Sequence, residues 1–129
     1  MPQAGDTFVV TIKPSHLGWG TFRYTDSREP VYGEGYIKIP RKYAKKFDIF
    51  NKNHPTANTE YYCNAVNGHF SGVLLAQGCK EAGDIYAKQF AELRNLKGIG
   101  DWYRSVSAQV GRQVRVTFTS ENSVEIQYI

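Results

Sequence analysis

The side chains best able to recognise another molecule fall in three polar stretches. The first is residues 22–36, FRYTDSREPVYGEGY, with two Arg, three Tyr, three acids and two Gly in a connection that could be far shorter. Arg23 and Arg28 carry planar donors that match guanine O6 and N7. Asp26 and Glu29 can accept from cytosine N4, and Ser27 can donate or accept. Tyr24 and Tyr32 can stack or bond a phosphate. This mixture suits base reading in a major groove, and it also suits a surface loop held by its own Arg–carboxylate pairs. The second stretch is PRKYAKKF, residues 40–47. There Arg41/Lys45 and Lys42/Lys46 stand at i, i+4 spacing, and each like-charge pair costs an isolated helix roughly 0.2–0.5 kcal/mol. No acid within the stretch offsets them. A phosphate backbone would, with release of counterions; the alternative is an ordinary solvated face. The third is AQGCKEAG, residues 76–83. Gln77 can read adenine through two hydrogen bonds, and Lys80 can reach guanine or phosphate. A helix starting here would present N–H groups to an anion, or would start with nothing bound.

Catalytic chemistry is thinly represented. His16, His54 and His69 are scattered through connections. Cys63 and His69 lie on either side of an Asn67-Gly68 turn, so a Cys–His pair and a small thiol or hydrolytic enzyme form one rival reading. A Cys in a strand packs equally well as a small apolar residue. Neither Cys nor His recurs at metal-ligand spacing. There is no phosphate-binding GxxxxGK[ST], no GxSxG and no HExxH. Glu60 and Glu125 are the acids on strands, without the companions a metal-dependent nuclease needs. The expectation is a chain with no catalytic residues, no metal and no cofactor. Two further readings are a Tyr-rich protein-interaction module and a single-stranded RNA binder working by aromatic stacking.

Composition bounds these choices. The chain has 129 residues, enough for one domain with a real core. A net charge of +4 and a pI near 9.1 permit a polyanionic partner without demanding one. Cys63 and Cys79 form no CxxC and read as reduced thiols of a cytosolic protein. MPQAGDTF lacks a basic region followed by an apolar one, and no apolar run approaches the roughly 18 residues that span a bilayer.

The elements that must position the polar stretches follow from apolar periodicity. TFVVTIK (7–13) alternates as a strand ended by Pro14, and 14–35 shows no sustained period. GYIKI (35–39) reads as a short strand, with Pro40 at the first position of a short helix. TEYYCNAV (59–66) and HFSGVLLA (69–76) flank the Asn67-Gly68 hairpin turn. Ala82, Ile85, Tyr86, Gln89, Phe90 and Leu93 share a 3.6-residue stripe and predict a helix over 81–94. Asp101 is placed to cap another, with Trp102, Val106 and Val110 inward and Gly111 at its end. QVRVTFT and SVEIQYI form a last half-buried hairpin. With no regular βαβ alternation, a doubly wound parallel sheet is not the expectation.

Gly18-Trp19-Gly20, Arg28-Glu29-Pro30 and Tyr36-Ile37-Lys38-Ile39-Pro40, together with the closing VGRQVRVTFTSENSVEIQYI, resemble the DNA-recognition domains of certain restriction endonucleases. Those domains share the DNA-binding pseudobarrel fold of the plant B-three transcription-factor domain. The resemblance touches most of residues 17–129 through short, degenerate motifs, and DIFNKNHPTAN (48–58) has no counterpart in it. It implies an α+β, mainly β fold: an open antiparallel or mixed pseudobarrel of about seven strands with two or three helices, spanning 1–129 as a single domain. It also implies two arms that grip the major groove of double-stranded DNA, mapping to about 20–34 and 76–81. Arg23, Asp26, Ser27, Arg28, Gln77 and Lys80 would then read bases, while Tyr24, Lys38, Arg41, Lys42 and Lys45 would hold the backbone. Nuclease chemistry in that group belongs to a separate domain or subunit, and the setting would be a prokaryotic cytoplasm.

Overall fold

The computed structural model describes residues 2–17, 35–78, 83–95 and 97–129. In chain order these form β1 (Thr7–Thr11), α1 (Pro14–Leu17), β2 (Ile37–Lys38), α2 (Arg41–Phe47), β3 (Glu60–Ala65) and β4 (Ser71–Gln77). There follow β5 (Gln89–Glu92), α3 (Gly98–Ser105), β6 (Gln113–Ser120) and β7 (Ser123–Tyr128). The strands make one mixed sheet in the order β1-β6-β7-β3-β4-β5-β2, nearly closed into a barrel. Every pairing is antiparallel except β3 with β7. This is the mainly β pseudobarrel, with three helices among the described residues, that the resemblance leads one to expect.

Alternation along the strands sets what points inward. Phe8, Val10 and Ile12 face the core with Val114, Val116 and Phe118, because Phe8 lies opposite Val116 and Val10 opposite Val114. Tyr61 lies opposite Leu74 on β3 and β4, and Ala76, Phe90 and Ile37 form an inward row across β4, β5 and β2, all with exposure near zero. The Tyr61 ring meets Phe90 and Phe118 edge-on, at 5.6 Å in each case, an arrangement favoured by aromatic quadrupoles. Helix α2 plugs the barrel: Tyr43 stacks on Phe8 at 5.6 Å and Phe47 meets Phe118 at 6.5 Å. Pro40 stands at the N-cap of α2, one position before the expected first turn, and Asp48 in a left-handed conformation ends it.

Two helix expectations are corrected. The apolar stripe predicted over 81–94 is not helical: in the described part the chain runs extended from Asp84 and forms β5 at Gln89–Glu92. Tertiary pairing outweighs local pattern here. Tyr86 bridges Phe50, the Ala87 N–H donates to Ile49, the Lys88 N–H donates to Gln77, and Phe90 pairs both Ala76 and Ile37. A strand flanked by β4 and β2 satisfies its backbone on both sides, and a short apolar run fits either period. The second helix begins at Gly98, ahead of Asp101, and ends at Ser105. Asp101 therefore sits in its first turn. Trp102 is buried as expected, whereas Val110 is 55% exposed, beyond the helix. The early start rests on close packing, since a Cβ on Gly35 would lie 2.9 Å from Gly100 Cα and N. The Tyr103 hydroxyl then reaches the Tyr36 carbonyl at 2.8 Å.

Gly35→Ala should therefore push α3 off the start of β2 and lower unfolding free energy by roughly 1–3 kcal/mol. Chemical denaturation measures this, and a change within 0.3 kcal/mol would show that the two backbones part without cost.

Candidate nucleic-acid interface

Three polar side chains cross the outer face of the barrel in one row. Lys38 lies opposite Gln89, and Gln89 opposite Gln77. Their neighbours Ile37, Phe90 and Ala76 are buried inside, so the row points outward. Gln89 Nε2 donates to Gln77 Oε1 at 3.2 Å.

Beside this row β1 and β2, the two ends of the sheet order among the described residues, face each other across a groove of about 520 Å³. Lys13, His16, Tyr36, Lys38, Lys42 and Tyr43 are among its lining residues, and none of the described lining residues is an acid. The cations crowd one another. Burial, then Lys88 and Lys13, hold the Lys38 ammonium below its usual range. Burial first, then Lys13 and Lys38, bring His16 down to about 4, so its imidazole is neutral at physiological pH. Neutral His16 is built into the frame: Nδ1 accepts from the Lys13 N–H at 3.2 Å, and the ring lies 5.0 Å from Tyr36. The Tyr36 N–H donates to the His16 carbonyl. The two ends that flank residues 18–34 are thereby fastened together at the groove.

The second connection is rooted in Asn51, which is 2% exposed. Its Nδ2 donates to the carbonyls of Asp84 at 2.7 Å and Tyr86 at 3.1 Å, while Oδ1 accepts from the Asn53 N–H. A Cβ on Gly78 would fall 2.2 Å from Asn51 Nδ2, so only glycine leaves room for the clamp. Residues 78 and 83, the ends flanking 79–82, are thus set beside Gln77 and the row.

Helix α2 spans the space between the two roots. Lys42 lines the groove. Arg41 and Lys45 turn the other way, over the Tyr86 ring at 5.8 and 5.9 Å. Arg41 also pairs with Asp84. The Asp84 carboxylate is held below its ordinary range, first by the Tyr86 N–H and then by Arg41. The acid that eases the like-charge stack thus comes from the loop before β5 rather than from within the helix.

Of the residues expected to contact DNA, Lys38, Arg41, Lys42, Lys45 and Gln77 are described, and they gather on this one side. Arg23, Tyr24, Asp26, Ser27, Arg28 and Lys80 lie outside the described residues. Sequence reasoning passed over Lys13, Lys88, Gln89 and Asn51. Lys13 was readable, because Phe8, Val10 and Ile12 inward place it outward. Gln89 announced itself as the one polar member of a supposedly apolar stripe. Asn51 sits in a turn-rich run with no such signal.

The Cys63 thiol is buried among core residues and pushed up to about 12, by burial and then by Glu92. It stays protonated and out of reach of solvent, while His69 is exposed in the β3–β4 turn. Among the described residues, no helix is long and apolar enough to cross a membrane.

No family model matches the sequence, and no curated protein matches it. A solved structure, that of a hypothetical Arabidopsis thaliana protein, is similar in fold. Its TM-score is 0.56 at 9% identity, over 100% of this chain and 94% of that one. At this identity the shared property is the fold.

Asn51→Ala should cost roughly 2–3 kcal/mol, because it leaves two carbonyls and an N–H of the second root without their partner. It should also speed proteolysis between 78 and 84, and unchanged cleavage there would remove Asn51 from its role as clamp. His16 supplies a pH signature. Its folded value of about 4 lies below the unfolded 6.5, so its contribution is complete above pH 6.5. That contribution, about 3 kcal/mol at most, is lost as pH falls from 6.5 through 4. Stability against pH for His16→Gln should be flatter than for the parent over that window, and parallel curves would refute the assignment.

Proposed function

We propose that this chain is a sequence-reading double-stranded DNA-binding domain, of the target-recognition kind found in restriction endonucleases, with no catalysis of its own. The observation that carries the reading is the outward row Lys38–Gln89–Gln77 beside a groove whose described lining is basic and holds no acid, between the roots of 18–34 and 79–82. In DNA recognition, cations position the duplex and forked donors and acceptors read its base edges. Here Lys13, Lys38 and Lys42 take phosphates at the groove, and Arg41 and Lys45 do so on the Tyr86 side of α2. Arg23, Asp26, Ser27, Arg28 and Lys80 join Gln77 as base readers from the two connections, with Tyr24 on the backbone. The resemblance of GWG, REP and YIKIP to endonuclease recognition domains supports the same reading. On it, cleavage belongs to a separate domain or subunit, and the setting is the prokaryotic cytoplasm.

Selection from a random duplex library should enrich one motif, and affinity should fall steeply with salt. Lys42→Ala and Lys38→Ala should each weaken all sequences alike and reduce the magnitude of the salt slope by roughly 1. Absence of both an enriched motif and a salt dependence would overturn the proposal, as would preference for single strands or insensitivity to DNA competitor in binding another protein.

A further inference from the structure

Gln77 taken alone can form two hydrogen bonds with adenine, but in the folded protein it is not alone. Its Oε1 accepts from Gln89 Nε2, which fixes both amide planes relative to each other on adjacent strands. Each amide keeps one group clear of that bond: Nε2 of Gln77, a donor, and Oε1 of Gln89, an acceptor. We propose that the two glutamines act as one base-reading unit selective for adenine, with Gln89 the specificity-determining residue that supplies the acceptor. This rests on the DNA-binding reading above.

The complementarity follows from the base edges. Adenine offers N7 as acceptor and N6–H as donor in the major groove, which match the donor and acceptor of the pair. Guanine offers two acceptors, so its O6 faces Gln89 Oε1 and repels it. Cytosine offers only the N4 donor, and thymine an acceptor beside a methyl group. A side-chain amide on its own is free to flip and to exchange its donor for its acceptor. The hydrogen bond between Gln77 and Gln89 couples the two amides, since flipping one alone sets like against like, so the pair always presents one donor and one acceptor. Lys38, directly across from Gln89, supplies a cation beside the reader, so a phosphate and a base edge are held together. Both glutamines are partly exposed strand positions with inward neighbours buried, which keeps their backbone fixed.

The test is the same random duplex selection, made on the parent, Gln77→Leu, Gln89→Leu and Gln89→Thr, with melting curves to show that each variant is folded. The parent should prefer adenine to guanine at one position by roughly 5- to 150-fold. All three variants should lose the preference at that same position, with the rest of the motif and the salt slope unchanged. If both Gln89 variants keep the adenine preference, or weaken every sequence evenly, the unit is refuted while the DNA-binding reading stands. If the parent enriches no motif, that reading fails and the unit with it.

Discussion

The backbone hydrogen bonds on both edges of β5 hold one half of the barrel in place. On one edge β5 pairs β4 over four residues, and on the other it is the partner of β2, a strand of two residues. The Ile39 N–H extends that second ladder to the Lys88 carbonyl. Because side chains alternate, the register that buries Phe90 between Ala76 and Ile37 also sets Gln89 between Gln77 and Lys38 outside. A slip by one residue would exchange the faces, placing Phe90 in solvent and the polar row in the core. The hydrophobic cost of exposing Phe90, roughly 1.5–3 kcal/mol, therefore enforces the position of side chains that contribute nothing to the core. Helix α3 packs on β5 as well, so the barrel end and the polar row share one support.

Electrostatics on this side divides between two arrangements. Around Tyr86 the cations are satisfied: Arg41 has Asp84, and Lys45 shares the ring face with it. In the groove Lys38 is held below its usual range by burial and then by Lys88 and Lys13, and His16 is kept neutral by burial and then by Lys13 and Lys38. Surface pairs such as Arg41–Asp84 contribute little to stability, so their value lies in fixing α2 against the loop before β5. The lysines beside the groove have no such acid among the described residues that line it.

Much of the frame was legible because its strands are amphipathic. The alternations Val114-Val116-Phe118 and Val124-Ile126, and the Asn67-Gly68 turn, predict β6, β7 and the β3–β4 hairpin where they stand. The helix over 81–94 was misread because Ile85, Tyr86, Phe90 and Leu93 satisfy a helical period by coincidence. Nothing local reveals that Gln77, Ile49 and Ile39 supply or receive the backbone bonds of that segment. The same non-locality hid the site. Lys42 was legible from charge and spacing, and Lys38 only through the resemblance. The coupling of Gln77 to Gln89 and the Asn51 clamp depend on contacts across 12 and more than 30 residues of chain.

These contacts also explain why a turn-rich segment with no counterpart in the resembling domains is part of the architecture. Residues 48–58 contain Asn51 and Asn53, whose side chains together hold the Asp84 carbonyl twice and that of Tyr86 once. Phe50 adds a backbone bridge to Tyr86 and a ring contact at 5.5 Å. Extended backbone approaching a sheet has to satisfy its N–H and C=O groups somewhere, and the stretch before β5 satisfies them on this segment. The polar groups of 48–58 are therefore what allows the chain to return from β4 as a strand instead of a helix. With that return fixed, β2 has its partner, the row Lys38–Gln89–Gln77 is assembled, and the groove beside it acquires its lysine walls.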